Sequence, residues 1–184
     1  RLDVVIELLA HGADVNLKDD GPRGNTPLYW AVLKGHTQVG RVLLENGADP
    51  SAFDNDERSP FGYAAYLGRV EILRECLERG ASANDPTDSK GTTPLISAAL
   101  GGRAEAIRVL VSFGAVVDAK DSDGFTALRF AVENMRCHAI KCLVSEFGAD
   151  LRLKAGKGAS PLDVAAEKRG LLGHLKAAEA EAAR

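Results

Sequence analysis

Cys137, His138 and Cys142 form the one close cluster of soft metal-ligating side chains in the chain, and thiolate with imidazole is a donor set that zinc takes. Two cysteines five residues apart on a helix point to different sides, however, and no second ligand pair lies nearby in the sequence. Cys142 stands in an apolar run where other segments carry Val42 and Val109, and Cys76 stands where they carry Leu43 and Leu110. Both thiols therefore read as small buried apolar groups. His11, His36, His138 and His174 are scattered, with no base–nucleophile pairing evident, and are assigned structural roles. No Gly-x-Ser-x-Gly elbow and no phosphate-cradling Gly-x-x-x-x-Gly-Lys loop occurs. The run Asp118 to Gly124 has calcium-like composition but lacks a twelve-residue loop closed by a bidentate Glu. The expectation is a chain with no catalytic residues, no metal site and no cofactor.

The 184 residues suit one domain. Charged residues make up 27% of the chain for a net charge of -3, and Lys and Arg are spread along its whole length, so no basic stripe points to nucleic acid. No apolar run approaches the roughly 18 residues needed to cross a bilayer, and no secretory leader is seen, so no membrane partner is expected. Three cysteines cannot all pair within one chain, which favours a reducing compartment, cytoplasmic or nuclear. The chain is expected to be monomeric.

The positional order lies in a repeat. Thr26-Pro27-Leu28, Ser59-Pro60-Phe61, Thr93-Pro94-Leu95, Thr126-Ala127-Leu128 and Ser160-Pro161-Leu162 follow one another at intervals of 33, 34, 33 and 34 residues. Gly12-Ala13, Gly47-Ala48, Gly80-Ala81, Gly114-Ala115 and Gly148-Ala149 keep the same beat. Thr or Ser is placed to cap a helix, and Pro follows where its missing N–H is harmless. A short helix then shows a stripe of small residues such as Ala64-Ala65 and Ala98-Ala99, and Gly35, Gly68 and Gly102 end it in a left-handed turn. A second helix carries the larger apolar load, as in Val109-Leu110-Val111, and stops at the Gly-Ala pair. A polar turn leads to the next cap.

This pattern closely resembles the ankyrin repeat, whose Thr-Pro-Leu-His-x-Ala signature the five tripeptides approach. The resemblance implies an all-α fold, an ankyrin-repeat solenoid of stacked helix-turn-helix units with projecting β-turn fingers and a concave face lined by the first helices. Residues 1–24 form a partial repeat, residues 25–57, 58–91, 92–124 and 125–158 full repeats, and residues 159–184 a C-terminal capping repeat. Because the chain enters mid-unit at Leu2 to Leu9, a fragment of a longer protein with an exposed apolar flank is expected. The first turn is two residues longer than the regular spacing and the third is one longer, changes that should alter the fingers alone. In the fifth unit Met135 falls at the glycine position, so Asn134 is expected to supply the left-handed residue and the interhelix turn to be the least regular. In the sixth, Arg169 takes the glycine position.

Function in this family implies recognition of another protein, and the sequence positions that face it can be inferred. Trp30 and Lys34, Tyr63 and Leu67, Ser97 and Gly101, Phe130 and Asn134, and Val164 and Lys168 share one side of the first helices. Trp30, Tyr63 and Phe130 either anchor a partner there or fill grooves between neighbouring units, and Tyr66 and Leu67 are the expected surface anchors. Arg23, Asn55, Asp56, Arg58, Ser89, Lys90, Asp123 and Phe125, with Asp19, Asp20 and Ser122, form the finger tips. The expected partner presents a basic or mixed-charge segment with an apolar anchor. Asn16, eight residues after Leu8 in Gly-Ala-Asp-Val-Asn, is a candidate for asparaginyl hydroxylation. The expected role is a scaffold or adaptor module, or else the targeting or regulatory segment of a multidomain enzyme or channel.

Overall fold

The computed structural model describes residues 1–156, 158–168 and 170–183. Arg169, expected at a helix-ending position, lies outside them. Among the described residues, eleven α-helices follow in chain order: α1 (Leu2–Ala10), α2 (Pro27–Lys34), α3 (Thr37–Glu45), α4 (Pro60–Leu67), α5 (Val70–Glu78), α6 (Pro94–Gly101), α7 (Ala104–Ser112), α8 (Ala127–Glu133), α9 (Cys137–Lys141), α10 (Pro161–Glu167) and α11 (Leu171–Ala182). A π-helical turn, Cys142–Glu146, continues α9. No strand forms among the described residues, which show one isolated antiparallel bridge, Lys120 to Thr126.

Local chemistry sets each boundary. The Thr26 hydroxyl accepts from the Tyr29 N–H at 3.3 Å, Ser59 from Gly62 at 3.1 Å, Thr93 from Ile96 at 3.3 Å and Thr126 from Arg129 at 3.3 Å. Ser160 builds a full capping box with Asp163. Hydrogen bonds from Ser160 hold the Asp163 carboxyl below its ordinary range. Gly35, Gly68 and Gly102 end α2, α4 and α6 at φ values of 71°, 71° and 73°, where a side chain would be strained.

The first helices stack as α2, α4, α6, α8 and α10, and α3 packs on α5 and α5 on α7 behind them. The small pairs are what let this happen: Ala64, Ala65, Ala98, Ala99, Ala131 and Val132 are fully buried. At Gly101 the approach is closest, because a Cβ there would run into the Tyr66 carbonyl oxygen of α4. Leu73, Ile107, Leu110, Ile140 and Leu143 fill the space between the two layers. Each such side chain contributes about 1.5–3 kcal/mol on burial.

The fifth unit corrects two expectations. Met135, with φ 54°, takes the left-handed conformation itself, while Asn134 stays at φ −95°. The interhelix turn is as regular as its neighbours: Arg136 N–H donates to the Ala131 carbonyl at 2.8 Å, as Arg69 does to Ala64 and Arg103 to Ala98 at 2.9 Å. The second helix of this unit carries one residue more before Gly148 than its neighbours carry before Gly80 and Gly114, and the π turn at Cys142–Glu146 absorbs it. An inserted residue inside a helix widens one turn when both ends are already fixed by neighbours.

Four fingers are tight hairpins, each closed by a backbone bond: Asp19 to Asn25, Asp54 to Arg58, Thr87 to Thr92 and Asp121 to Phe125. The first and third span more residues, so the insertions expand the fingers and leave the helices in step.

Candidate functional site

A groove of about 580 Å³ opens between the first helices and the fingers of the middle units. Tyr63 and Tyr66 from α4, Ile96, Ser97 and Leu100 from α6, and Phe130 from α8 line it together with Arg58, Asp88, Lys90, Asp123 and Phe125 of the fingers. Of the expected contact residues, the structure thus gathers Tyr63, Tyr66, Phe130, Arg58, Lys90, Asp123 and Phe125. Tyr63 and Tyr66 stack with centroids 6.0 Å apart, and Phe125 meets Phe130 edge to face at 6.0 Å. Tyr63, Tyr66 and Phe130 are half-buried. Tyr63 and Phe130 pack against the core, and Tyr63 stacks on Tyr29 of the preceding unit with centroids 4.9 Å apart.

The other expected residues lie elsewhere. Trp30 and Lys34 line a second groove of about 330 Å³ with Val5, Leu9 and Val39. Trp30, 40% exposed, is held by Asp19, which accepts from its indole N–H at 2.6 Å. Lys34 sits 5.8 Å above the indole ring. Leu67 is half-buried and packs against the core, so it is a weaker surface residue than its position suggests. Asn134 folds its amide back onto the Phe130 carbonyl at 2.9 Å.

At the finger tips, neighbouring fingers hold one another. The Asn55 N–H donates to the Arg23 carbonyl at 2.7 Å, and the Ser122 N–H to the Lys90 carbonyl at 2.9 Å. Asp56 accepts from Arg58 at 2.8 Å and pairs with Arg23 at 3.1 Å, and Ser89 donates to Glu57. Asn16 bridges units: its amide donates to the Gly47 carbonyl at 3.1 Å and accepts from the Asp49 N–H at 2.8 Å. Asn84 makes the same pair of bonds to Gly114 and Val116.

Two sets of positioning residues escaped sequence reasoning. Asp19, Asp54, Asp88 and Asp121 each spend one carboxylate oxygen on two N–H groups of their own finger. They recur at intervals of 35, 34 and 33, a third series that marks them. Basic side chains reach back to carbonyls at the end of the preceding first helix: Arg69 to Val32 and Leu33, Arg103 to Tyr66, Arg136 to Leu100 and Lys168 to Glu133. These carbonyls stand at the C-terminal ends of their helices and carry the negative end of the dipole, although Val32 also accepts from the Gly35 N–H at 3.1 Å. The signal was a basic residue directly after Gly68 and Gly102.

Cys76 and Cys142 are buried, and burial pushes both thiols up to about 12; Cys137 is exposed. Among the described residues no group of three or more His, Cys, Asp or Glu side chains is placed to hold a metal ion.

A family model described as ankyrin repeats (3 copies) matches residues 1–87 and 63–155. Protein PhlB of Serratia liquefaciens is 37% identical over 106 residues, 58% of this chain and 47% of that protein. Palmitoyltransferase ZDHHC13 of Pongo abelii is 32% identical over 98% of this chain, which amounts to 29% of that protein. The chain therefore spans less than half the length of either. A solved ankyrin repeat domain from Acinetobacter baumannii AYE superposes with a TM-score of 0.80 at 29% identity, covering 96% of this chain and 92% of that one.

Proposed function

The chain belongs to the ankyrin-repeat family, and from that premise we propose that it is a non-catalytic interaction module, a scaffold or adaptor that grips a partner protein in the groove between its first helices and fingers. The observation that carries this is the set of half-exposed rings, Tyr63, Tyr66, Phe125 and Phe130, held on one groove by a close-packed stack. Rigid aromatic surface lowers the entropy lost on binding and supplies the anchors that dominate interface energies. Arg58, Lys90 and Asp123 add charge of both signs at its edge, which suits a basic or mixed-charge segment with an apolar anchor. Arg23, Asn55, Asp56 and Ser89 extend the surface along the finger tips, and Trp30, Lys34, Leu67 and Asn134 flank it.

Replacing Tyr66 with Ala tests this reading, since its ring is half-exposed. Capture of the partner should weaken at least tenfold with the melting temperature held. Unchanged capture by a variant that melts like the parent removes the groove from consideration.

A second reading, in which the stack is the substrate-targeting or regulatory segment of a larger enzyme, draws on the palmitoyltransferase relative, which matches nearly the whole chain within 29% of its own length. In that case the same groove recruits the substrate protein.

A further inference from the structure

The first helices present Trp30, Tyr63, Ser97 and Phe130 at equivalent positions. Ser97 is the small member, set between two rings, and the groove opens around it. The missing ring leaves a notch walled by Tyr63 and Tyr66 from α4 and by Phe125 and Phe130 from the α8 unit, with Ile96 and Leu100 of α6 beneath.

The polar groups of this notch are mostly acceptors. Thr87 spends its proton on the Thr92 carbonyl at 2.8 Å, so the Ser97 hydroxyl 3.3 Å away donates to Thr87 and keeps a lone pair free. Asp88 and Asp121 use only Oδ1 for their fingers, and Asp123 makes no ion pair among the described residues. On the basic side, Arg58 is taken by Asp56 at 2.8 Å, and Lys90 forms no ion pair among the described residues. Phe125 already carries one guanidinium of this chain, with Arg129 Cζ 5.3 Å from its ring centroid.

We infer that the notch receives an arginine side chain from an extended segment of the partner, an inference that rests on the interaction-module reading above. A guanidinium is flat, weakly hydrated and purely a donor, so it stacks on the rings while its N–H groups meet Ser97 and the free carboxylate oxygens. An aliphatic or aromatic side chain would fill the walls and leave those acceptors without donors. Lys90 opposes the incoming charge and sets a limit on affinity.

The probe is a phage-displayed library of random dodecapeptides, selected on the intact chain and counter-selected on Ser97→Phe, which puts into the notch the kind of ring its neighbours carry. Enriched peptides should share an arginine, and replacing it by citrulline, of the same shape without the charge, should weaken binding at least tenfold. Asp123→Asn should weaken the same peptides several-fold, and Lys90→Ala should strengthen them. Groove-dependent peptides without arginine, or equal binding of the citrulline peptide, overturn this inference and leave the interaction module standing. Peptides indifferent to a folded Ser97→Phe, or no enrichment at all, count against both. If Ser97→Phe melts early, Tyr66→Ala serves as the counter-selecting variant, read against the same outcomes.

Discussion

The indole N–H of Trp30 donates to Oδ2 of Asp19 at 2.6 Å, tying the first finger to the outer side of its own helix. The bond holds the Asp19 carboxyl below its ordinary range, assisted by the N–H groups of Asn25 and Gly21 and opposed by some desolvation. A depressed carboxyl keeps its bond above that range and loses it as pH falls through the lowered value. Trp30 emission should therefore shift on acidification with a midpoint below the ordinary aspartate value of about 3.9, and Asp19→Asn should abolish the transition. A shift that persists in the variant would assign the effect to another group.

The guanidinium ladder makes a graded prediction. Arg69 is half-buried and reaches two carbonyls, whereas Arg103 is exposed and reaches one. Arg69→Ala should cost about 1.5–3 kcal/mol in urea unfolding, and Arg103→Ala about 1 kcal/mol or less because solvent screens it. Equal costs would mean that side-chain packing against Gly35 and Gly68, rather than the bonds, dominates.

Met135 holds a left-handed backbone at φ 54° and is 55% exposed. Such a conformation costs a non-glycine residue about 1–2 kcal/mol, and glycine gives back part of that gain in unfolded-state entropy. Met135→Gly should raise stability by about 0.5–1 kcal/mol, read as a higher urea midpoint at constant slope.

The three thiols should separate cleanly. With Cys76 and Cys142 buried and pushed up to about 12, and Cys137 exposed, N-ethylmaleimide at neutral pH should add once to the native chain, at Cys137. Denatured protein should take three adducts. Rapid native labelling of Cys142 would show that the π turn opens.

The repeat was legible because its markers are covalently local: a capping hydroxyl, a proline and a left-handed glycine each act within one turn of helix. The Met135 and interhelix-turn corrections have one cause. In the fifth unit the interhelix turn is fixed by the Arg136-to-Ala131 bond and by packing on both sides. Tertiary context therefore overrode the local preference of Asn134 for the left-handed state. The groove was only half legible. Tyr63 and Phe130 could be placed on one side of the first helices, but Trp30 could not be separated from them, since its tie to Asp19 joins residues eleven apart through the fold of a finger. Ser97 interrupts an aromatic series, and the packing of α4 and α8 around α6 turns that gap into a notch.

Hydrogen–deuterium exchange of the chain with and without a captured partner reports where the partner sits. A partner held in the groove adds protection at residues 58–66, 87–100 and 121–130, with α5 and α7 unchanged. Protection confined to residues 70–78 and 104–112, on the second helices, would contradict this placement.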